Sequence, residues 1–144
     1  MTRGFEASLA GYVAQAWQSS LAYAYSDAKI TDATSATVVP GNRVQLVPYS
    51  QFAWWNRYQF TPVWGAALGV IYFGDSFASS DDTVRLPGFV RFDAGIYANI
   101  DRNWRAQLTI ENIFNRGYWA SADGNNNISP GQGRTVKLQA AYRL

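Results

Sequence analysis

Apolar and polar residues alternate along most of this chain, in segments of about ten residues. Each alternating segment predicts a β-strand, because successive side chains of a strand point to opposite faces of a sheet. The seven predicted strands are 4–13, 17–28, 51–60, 64–72, 89–98, 104–114 and 134–144. A strand of about ten residues is also long enough to cross a lipid bilayer when it is tilted.

The connections between these strands alternate between short turns and long polar loops. The short turns lie near residues 15, 62 and 101, and the long loops cover 29–49, 74–86 and 115–133. Outer-membrane barrels of bacteria have short periplasmic turns and long extracellular loops. The pattern therefore predicts an all-β fold, an antiparallel transmembrane β-barrel segment of about seven meander strands.

Three tryptophans, Trp17, Trp64 and Trp104, each begin the strand that follows a short turn. At a membrane boundary an indole buries its ring and keeps its N–H near the hydrated headgroups. We expect these three side chains to form an aromatic girdle at one level of the lipid-facing surface.

The composition also favours a membrane environment. Aromatic residues make up 16% of the chain and charged residues 15%, whereas soluble domains are roughly 25% charged. No stretch approaches the roughly 18 apolar residues of a spanning helix, so any crossing segment must be a strand. A soluble β-sandwich has the same alternation and is the competing interpretation, although the apolar rows continue to the chain end without a charged edge.

Candidate catalytic chemistry is sparse, because the chain contains neither His nor Cys. This excludes a Ser–His dyad, a thiol nucleophile and a conventional zinc cluster. We therefore expect no enzymatic activity, no metal site and no resident cofactor. The net charge of +2 gives no argument for nucleic acid as a partner. The neighbouring Asp81 and Asp82 are interpreted as solvated loop residues rather than calcium ligands.

Four stretches carry a family resemblance. They are Arg-Gly-Phe-Glu at 3–6, Leu-Pro-Gly-Phe-Val-Arg-Phe-Asp-Ala at 86–94, Glu-Asn-Ile-Phe-Asn-Arg-Gly-Tyr at 111–118 and Pro-Gly-Gln-Gly-Arg-Thr-Val at 130–136. In this order they resemble the C-terminal third of TonB-dependent outer-membrane receptors that import iron–siderophore complexes. Gly117, Gly133 and Leu144 depart from that pattern, which usually has a bulkier residue, Pro and Phe there.

The resemblance implies a barrel of about 22 strands closed around a plug domain. We expect residues 1–144 to be the C-terminal part of such a barrel, with Met1 a truncation point and with the plug domain and the N-terminal strands absent. The two edge strands, 4–13 and 134–144, are then not expected to pair with each other. The alternatives left open are a small porin-like structural barrel and a soluble carbohydrate-binding β-domain.

The resemblance also implies a location, partners and a cargo. The expected location is the bacterial outer membrane, and the transported ligand is a ferric siderophore. The expected partners are outer-membrane lipid, the barrel assembly machinery, the plug domain with the remaining strands, and the TonB complex, which acts through the plug.

Two groups of residues are candidates for contact with these partners. Polar residues on the inward row are expected to face the lumen and to bind the plug through salt bridges, because buried charges are usually paired. These are Arg57, Arg91, Asp93 and Glu111. Aromatic rings beside a cation suit an anionic ferric chelate. The loop residues with this character, and hence the candidate ligand-binding residues, are Phe77, Arg85, Tyr118 and Trp119.

Overall fold

A computed structural model describes residues 1–33 and 35–143, and Thr34 and Leu144 lie outside the described residues. The described strands are, in chain order, β1 (Thr2–Ala14), β2 (Trp17–Ala28), β3 (Ser50–Gln59), β4 (Trp64–Phe73), β5 (Ser76–Phe77), β6 (Arg85–Leu86), β7 (Phe89–Asn99), β8 (Trp104–Glu111), β9 (Trp119–Ala122), β10 (Ile128–Pro130) and β11 (Thr135–Tyr142). Seven of them form one antiparallel sheet in the order β1-β2-β3-β4-β7-β8-β11. The predicted meander of seven strands is confirmed.

Most predicted strand boundaries lie within two residues of the observed ones, and the clearest difference is at the end of β8. This strand stops at Glu111 rather than continuing to Phe114. Asn112 has a positive φ of 54°, a left-handed conformation that a strand cannot contain. The predicted final residue of the last strand, Leu144, lies outside the described residues.

The strand register joins the predicted apolar rows into one continuous face. Leu9 is opposite Leu21, which is opposite Trp54, and Trp54 in turn is opposite Val70. Leu9 is 74% exposed and Trp54 40% exposed. We call this surface the outward face. A large apolar surface of this kind is unfavourable in water and favourable in a bilayer.

The opposite, inward face carries the polar row together with several small residues. Gly69 lies directly under Trp55, and a Cβ atom at this glycine would overlap the indole ring. Asp93, the next partner across the sheet, is buried. Poor strand formers are tolerated on this face because they make room for large neighbouring side chains.

The short turns at one end of the sheet position two of the tryptophans. The Thr61 hydroxyl accepts a hydrogen bond of 2.8 Å from the Trp64 backbone N–H. The Asp101 carboxylate accepts one of the same length from the Trp104 N–H. Each turn is therefore closed by a polar side chain three residues before the indole, a common role for Thr and Asp in turns.

The three long connections pack together at the other end of the sheet. We call their described residues, within 29–49, 74–88 and 115–133, the loop unit. Its small core is formed by buried Ala78, Leu86 and Ala122, with Leu46, Val84 and Ile128 packed against them. Hydrogen bonds also link the loops, and the Gln45 side chain donates to the Ala122 carbonyl at 2.9 Å. The loops therefore form one folded unit rather than separate flexible segments.

Strands β1 and β11 are the two edges of the sheet. Each pairs with a single neighbour, β1 with β2 and β11 with β8, and no pairing between the two edges occurs among the described residues. The expectation that they do not close a small barrel is confirmed. None of the described residues belongs to a helix long and apolar enough to span a membrane.

Candidate functional site

The loop unit is held together by a carboxylate that two arginines share. Asp75 accepts hydrogen bonds from Arg85 Nε at 3.0 Å and from Arg43 at 3.3 Å. Arg43 is largely buried and also stacks on the Tyr49 ring, with its guanidinium carbon 4.0 Å from the ring centroid. The hydrogen bond from Arg85, aided by Arg43 and opposed by partial burial, holds the pKa of the Asp75 carboxyl below its usual value. The cluster joins the first loop to the second.

Phe77 and Arg85, two of the four candidate ligand-binding residues, face each other across the β5–β6 pair. Phe77 is partly buried, and the Arg43 guanidinium lies 5.2 Å from its ring centroid. Arg85 keeps a largely exposed side chain although it is paired with Asp75. The structure thus brings these two residues together, with Arg85 already bound to a carboxylate.

The other two candidates, Tyr118 and Trp119, are adjacent in sequence but differ in environment. The Tyr118 ring stacks on Phe89 with centroids 4.2 Å apart, and its hydroxyl accepts a hydrogen bond of 3.3 Å from Arg91. A Cβ atom at Gly131 would overlap this ring, which explains why a glycine occupies that position. Trp119 is 44% exposed. Of the two, Trp119 offers more surface to a ligand.

Among the inward residues, Arg91 and Asp93 pair with each other. The Arg91 guanidinium donates to Asp93 at 2.8 Å, and the second carboxylate oxygen of Asp93 accepts the Asn112 backbone N–H at 2.8 Å. The Asn112 side chain in turn bonds to the backbone of Arg116 and Gln132. These contacts connect three of the sequence motifs and fix the start of the third loop to the sheet.

Glu111 and Arg57, the other two inward candidates, differ in whether their charge is neutralised. Glu111 forms an ion pair with Lys137 on β11. Arg57 lies over the Tyr97 ring, 4.6 Å from its centroid, and forms no ion pair with any described carboxylate. Of the four inward candidates, Arg57 therefore has the charge most available to an acidic group across the lumen.

The three girdle tryptophans lie on the outward face at the end of the short turns. Trp17, Trp64 and Trp104 are 38%, 48% and 46% exposed. The Trp17 indole N–H donates to the Asn56 side chain at 3.1 Å, and the Trp104 ring lies 5.0 Å from that of Tyr142. The side chains do not pack into a closed core, and their place at a membrane boundary stays a prediction.

The described residues contain no group of three or more metal-ligating side chains. The Asp81 carboxylate instead accepts hydrogen bonds from Thr83 and Asn125, and the Asp82 carboxylate accepts the Arg43 backbone N–H. Both side chains are thus used to connect loops.

Sequence reasoning missed Arg43, Asp75 and Asn112, the residues that organise the loop unit. Arg43 and Asp75 lie in segments without any apolar period, and their pairing spans 32 residues. Asn112 lies inside a motif, but only a preference of Asn for the left-handed region hinted at its role.

Comparison with known proteins gives the family. Residues 1–113 match the family described as TonB dependent receptor-like, beta-barrel. The probable TonB-dependent siderophore receptor PiuA of Acinetobacter baumannii is 26% identical over 97% of this chain and 20% of its own length. The catecholate siderophore receptor Fiu of Escherichia coli K12 is 30% identical over 95% of this chain and 19% of its own length. The chain thus spans about a fifth of the relatives that it matches.

Solved structures agree with this assignment. The crystal structure of the siderophore receptor PiuA superposes with a TM-score of 0.87 at 25% identity, covering 98% of this chain and 21% of that one. The closed form of the ferric-catecholate import receptor Fiu gives 0.85 at 28% identity, covering 99% and 21%. Proteins of this kind lie in the outer membrane of Gram-negative bacteria. This chain belongs to the TonB-dependent receptor β-barrel family.

Proposed function

We propose that this chain forms seven consecutive barrel strands of an outer-membrane receptor that takes up ferric siderophores by TonB-dependent transport. The family match over residues 1–113 carries this proposal. The continuous apolar outward face supports a wall in contact with lipid, and it disfavours a soluble carbohydrate-binding domain. The coverage of about a fifth of each relative favours a segment of a large barrel over a small porin-like barrel.

The partners follow from this position in the barrel. The edges β1 and β11 pair with the remaining strands, because unpaired backbone groups are costly in lipid. The inward row contacts the plug domain, and TonB acts on that plug from the periplasm. The barrel assembly machinery inserts the wall into the membrane. In this scheme the chain itself supplies wall and loops and carries out no catalytic step.

The candidate residues divide between these roles. Trp17, Trp64 and Trp104 anchor the wall at the periplasmic boundary. Arg57 binds an acidic group of the plug, while the paired Arg91, Asp93 and Glu111 stiffen the wall beside it. Trp119 and Arg85 are the exposed members of the ligand-binding group, and Tyr118 and Phe77 support them.

Trp119 and Trp104 have nearly equal exposed fractions, and replacing each of them tests this division of roles. In the whole receptor that contains this chain, Trp119→Ala removes an aromatic surface from the loop unit and is expected to weaken binding of a ferric tris-catecholate by about fivefold. Arg85→Ala is expected to act in the same direction. Binding is titrated on purified folded receptor by quenching of the intrinsic fluorescence.

Trp104→Ala is the matched control, since it removes an indole from the opposite end of the sheet. It is expected to lower the yield of folded receptor and to leave the affinity of the folded fraction unchanged. Weakened affinity in Trp104→Ala, beside unchanged affinity in Trp119→Ala, would reverse the proposed roles.

A further inference from the structure

A cleft of about 650 Å³ opens where the outward face meets the loop unit. Its wall includes Tyr72, Val90, Phe92 and Phe114, and its rim includes Asp75, Arg85 and Arg116. The cleft lies over β4 and β7, which have strand neighbours on both sides. Further barrel strands added at β1 or β11 therefore cannot cover it, and a plug would lie on the inward face.

The wall of the cleft is apolar and largely exposed. Tyr72 and Val90 face each other across the β4–β7 pair. The Phe114 ring meets Phe92 edge-on with centroids 5.4 Å apart, and it remains 73% exposed. Side chains this apolar gain free energy when hydrocarbon replaces water around them.

The rim of the same cleft is cationic. Arg85 forms an ion pair with Asp75, so these two rim residues neutralise each other. Arg116 therefore leaves the rim with a net charge of +1, and none of the described carboxylates forms an ion pair with it. A cationic rim above an apolar wall matches an amphiphile with an anionic head.

We propose that this cleft is a binding site for a lipid of the outer leaflet that carries anionic phosphate. An acyl chain lies along Tyr72, Phe92 and Phe114, and a phosphate oxygen accepts hydrogen bonds from the Arg116 guanidinium. Arginine suits this role because its planar fork binds phosphate through two parallel hydrogen bonds. The inference rests on the proposed function, which places the chain in the outer membrane with the loop unit on the extracellular side. It does not depend on which ligand the receptor transports.

The position of Arg116 supports this assignment. Its backbone is fixed by the buried Asn112 side chain, which accepts the Arg116 N–H at 2.8 Å and donates to the Arg116 carbonyl at 2.9 Å. The guanidinium is therefore attached to a rigid base beside the Phe92–Phe114 pair. A site whose backbone is already ordered loses less entropy on binding.

Lipid retention by the whole receptor tests the proposal. Purified receptor in detergent is incubated with diphosphorylated lipid A, and the bound lipid is counted by native mass spectrometry. Arg116→Ala is expected to lower the retained lipid by about tenfold, since a charge-assisted phosphate contact is lost. Phe114→Ala, which removes apolar wall, is expected to lower it as well. Diacylglycerol, which carries no phosphate, is the lipid control and is expected to show no dependence on Arg116.

Arg134→Ala is the matched protein control, because Arg134 is an exposed cation near the same end of the sheet that does not line the cleft. Equal retention by wild type and Arg116→Ala, or equal losses in Arg116→Ala and Arg134→Ala, would overturn the site. Displacement of lipid A by millimolar inorganic phosphate would also overturn it. Failure of the underlying placement has a different signature, because the receptor would then not fractionate with the outer membrane at all.

Discussion

At the scale of single residues, Asn112 shows how a short motif supports a large loop. The residue is 1% exposed and has a positive φ. Its side chain donates to the carbonyls of Arg116 and Gln132, which lie near opposite ends of the third loop. No other uncharged side chain of this size supplies two donors and an acceptor in so short a reach.

Substitution of Asn112 is therefore expected to cost more than its size suggests. Asn112→Ala leaves partly buried backbone groups of Arg116 and Gln132 without partners and strains a left-handed residue, so we expect a loss of about 3 kcal/mol in the free energy of unfolding. Asn112→Gly loses the same hydrogen bonds but adopts the left-handed conformation without strain. Its free energy of unfolding should therefore be about 1 kcal/mol higher than that of Asn112→Ala. Denaturant titration of the folded receptor, read by tryptophan fluorescence, gives both values.

Asn115→Ala separates the effect of burial from that of backbone conformation. Asn115 also has a positive φ, of 51°, but it is exposed. Its replacement is expected to cost only about 1 kcal/mol. Asn115 also loses a hydrogen bond, the exposed one that its side chain accepts from the Arg134 N–H. Equal losses at the two positions would therefore show that burial of the amide adds nothing, and the role of the buried Asn112 side chain would be wrong.

At the scale of the elements, the alternation of apolar and polar residues predicted the sheet well, because neither face of a strand packs into a common core. The outward row is mostly apolar, with Ser19 and Asn56 as polar exceptions that accept hydrogen bonds from indole N–H groups. The inward row is mostly polar or small, so a period of two persists through all seven strands. The pattern fails where backbone geometry decides, as at Asn112, where β8 ends three residues early.

The alternation of apolar and polar residues could not predict the loop unit, for a different reason. Its short strands β5, β6, β9 and β10 have two to four residues, too few to show a period. Its core contains three small or medium side chains that come from two loops distant in sequence. Sequence identified Tyr118 and Arg91 as candidates for separate roles, and only the fold shows that they are hydrogen-bonded to each other.

The ion pairs of Asp75 give the loop unit a definite pH dependence. The pKa of Asp75 is lowered in the folded protein, mainly by Arg85. The stabilising carboxylate is therefore fully present above the unfolded pKa of about 4 and is lost as the pH falls through the lowered value. Protection of the Leu46 and Ala78 amides from hydrogen exchange, corrected for intrinsic rates, should be unchanged between pH 7 and 5 and should fall below about pH 4.

Asp75→Asn should have the same effect at neutral pH. The exchange of both amides is expected to rise about fivefold, because partly exposed ion pairs contribute about 1 kcal/mol. Asp27→Asn serves as the control, since Asp27 pairs with Lys29 within one segment and joins no separate loops. If the control variant loosens the same amides to the same extent, the shared carboxylate does not hold the loops together.

At the scale of the whole molecule, the two faces of the sheet differ in the environment that suits them. The outward face carries large apolar side chains at high exposure, and the inward face carries ion pairs and buried Asp93. A soluble domain would need a second layer over the apolar side. Among the described residues Leu9, Leu68 and Leu138 of this side stay 50% or more exposed, so lipid is the environment that fits the surface.

Neighbouring residues in the middle of β8 test this assignment most directly. Leu108 lies on the outward face opposite Ile96 and Leu138, whereas Gln107 lies on the inward face opposite Tyr97 and Gln139. Arginine on a lipid-facing site near the bilayer centre costs about 2–4 kcal/mol, while lumen sites tolerate charge. Leu108→Arg should therefore strongly reduce the fraction of receptor that runs as the folded, heat-modifiable form on unheated gels of outer-membrane preparations. Gln107→Arg adds the same charge one residue away and should leave that fraction near the wild-type level. A larger loss for Gln107→Arg would mean that the polar row faces lipid, and the orientation of the sheet would have to be reversed.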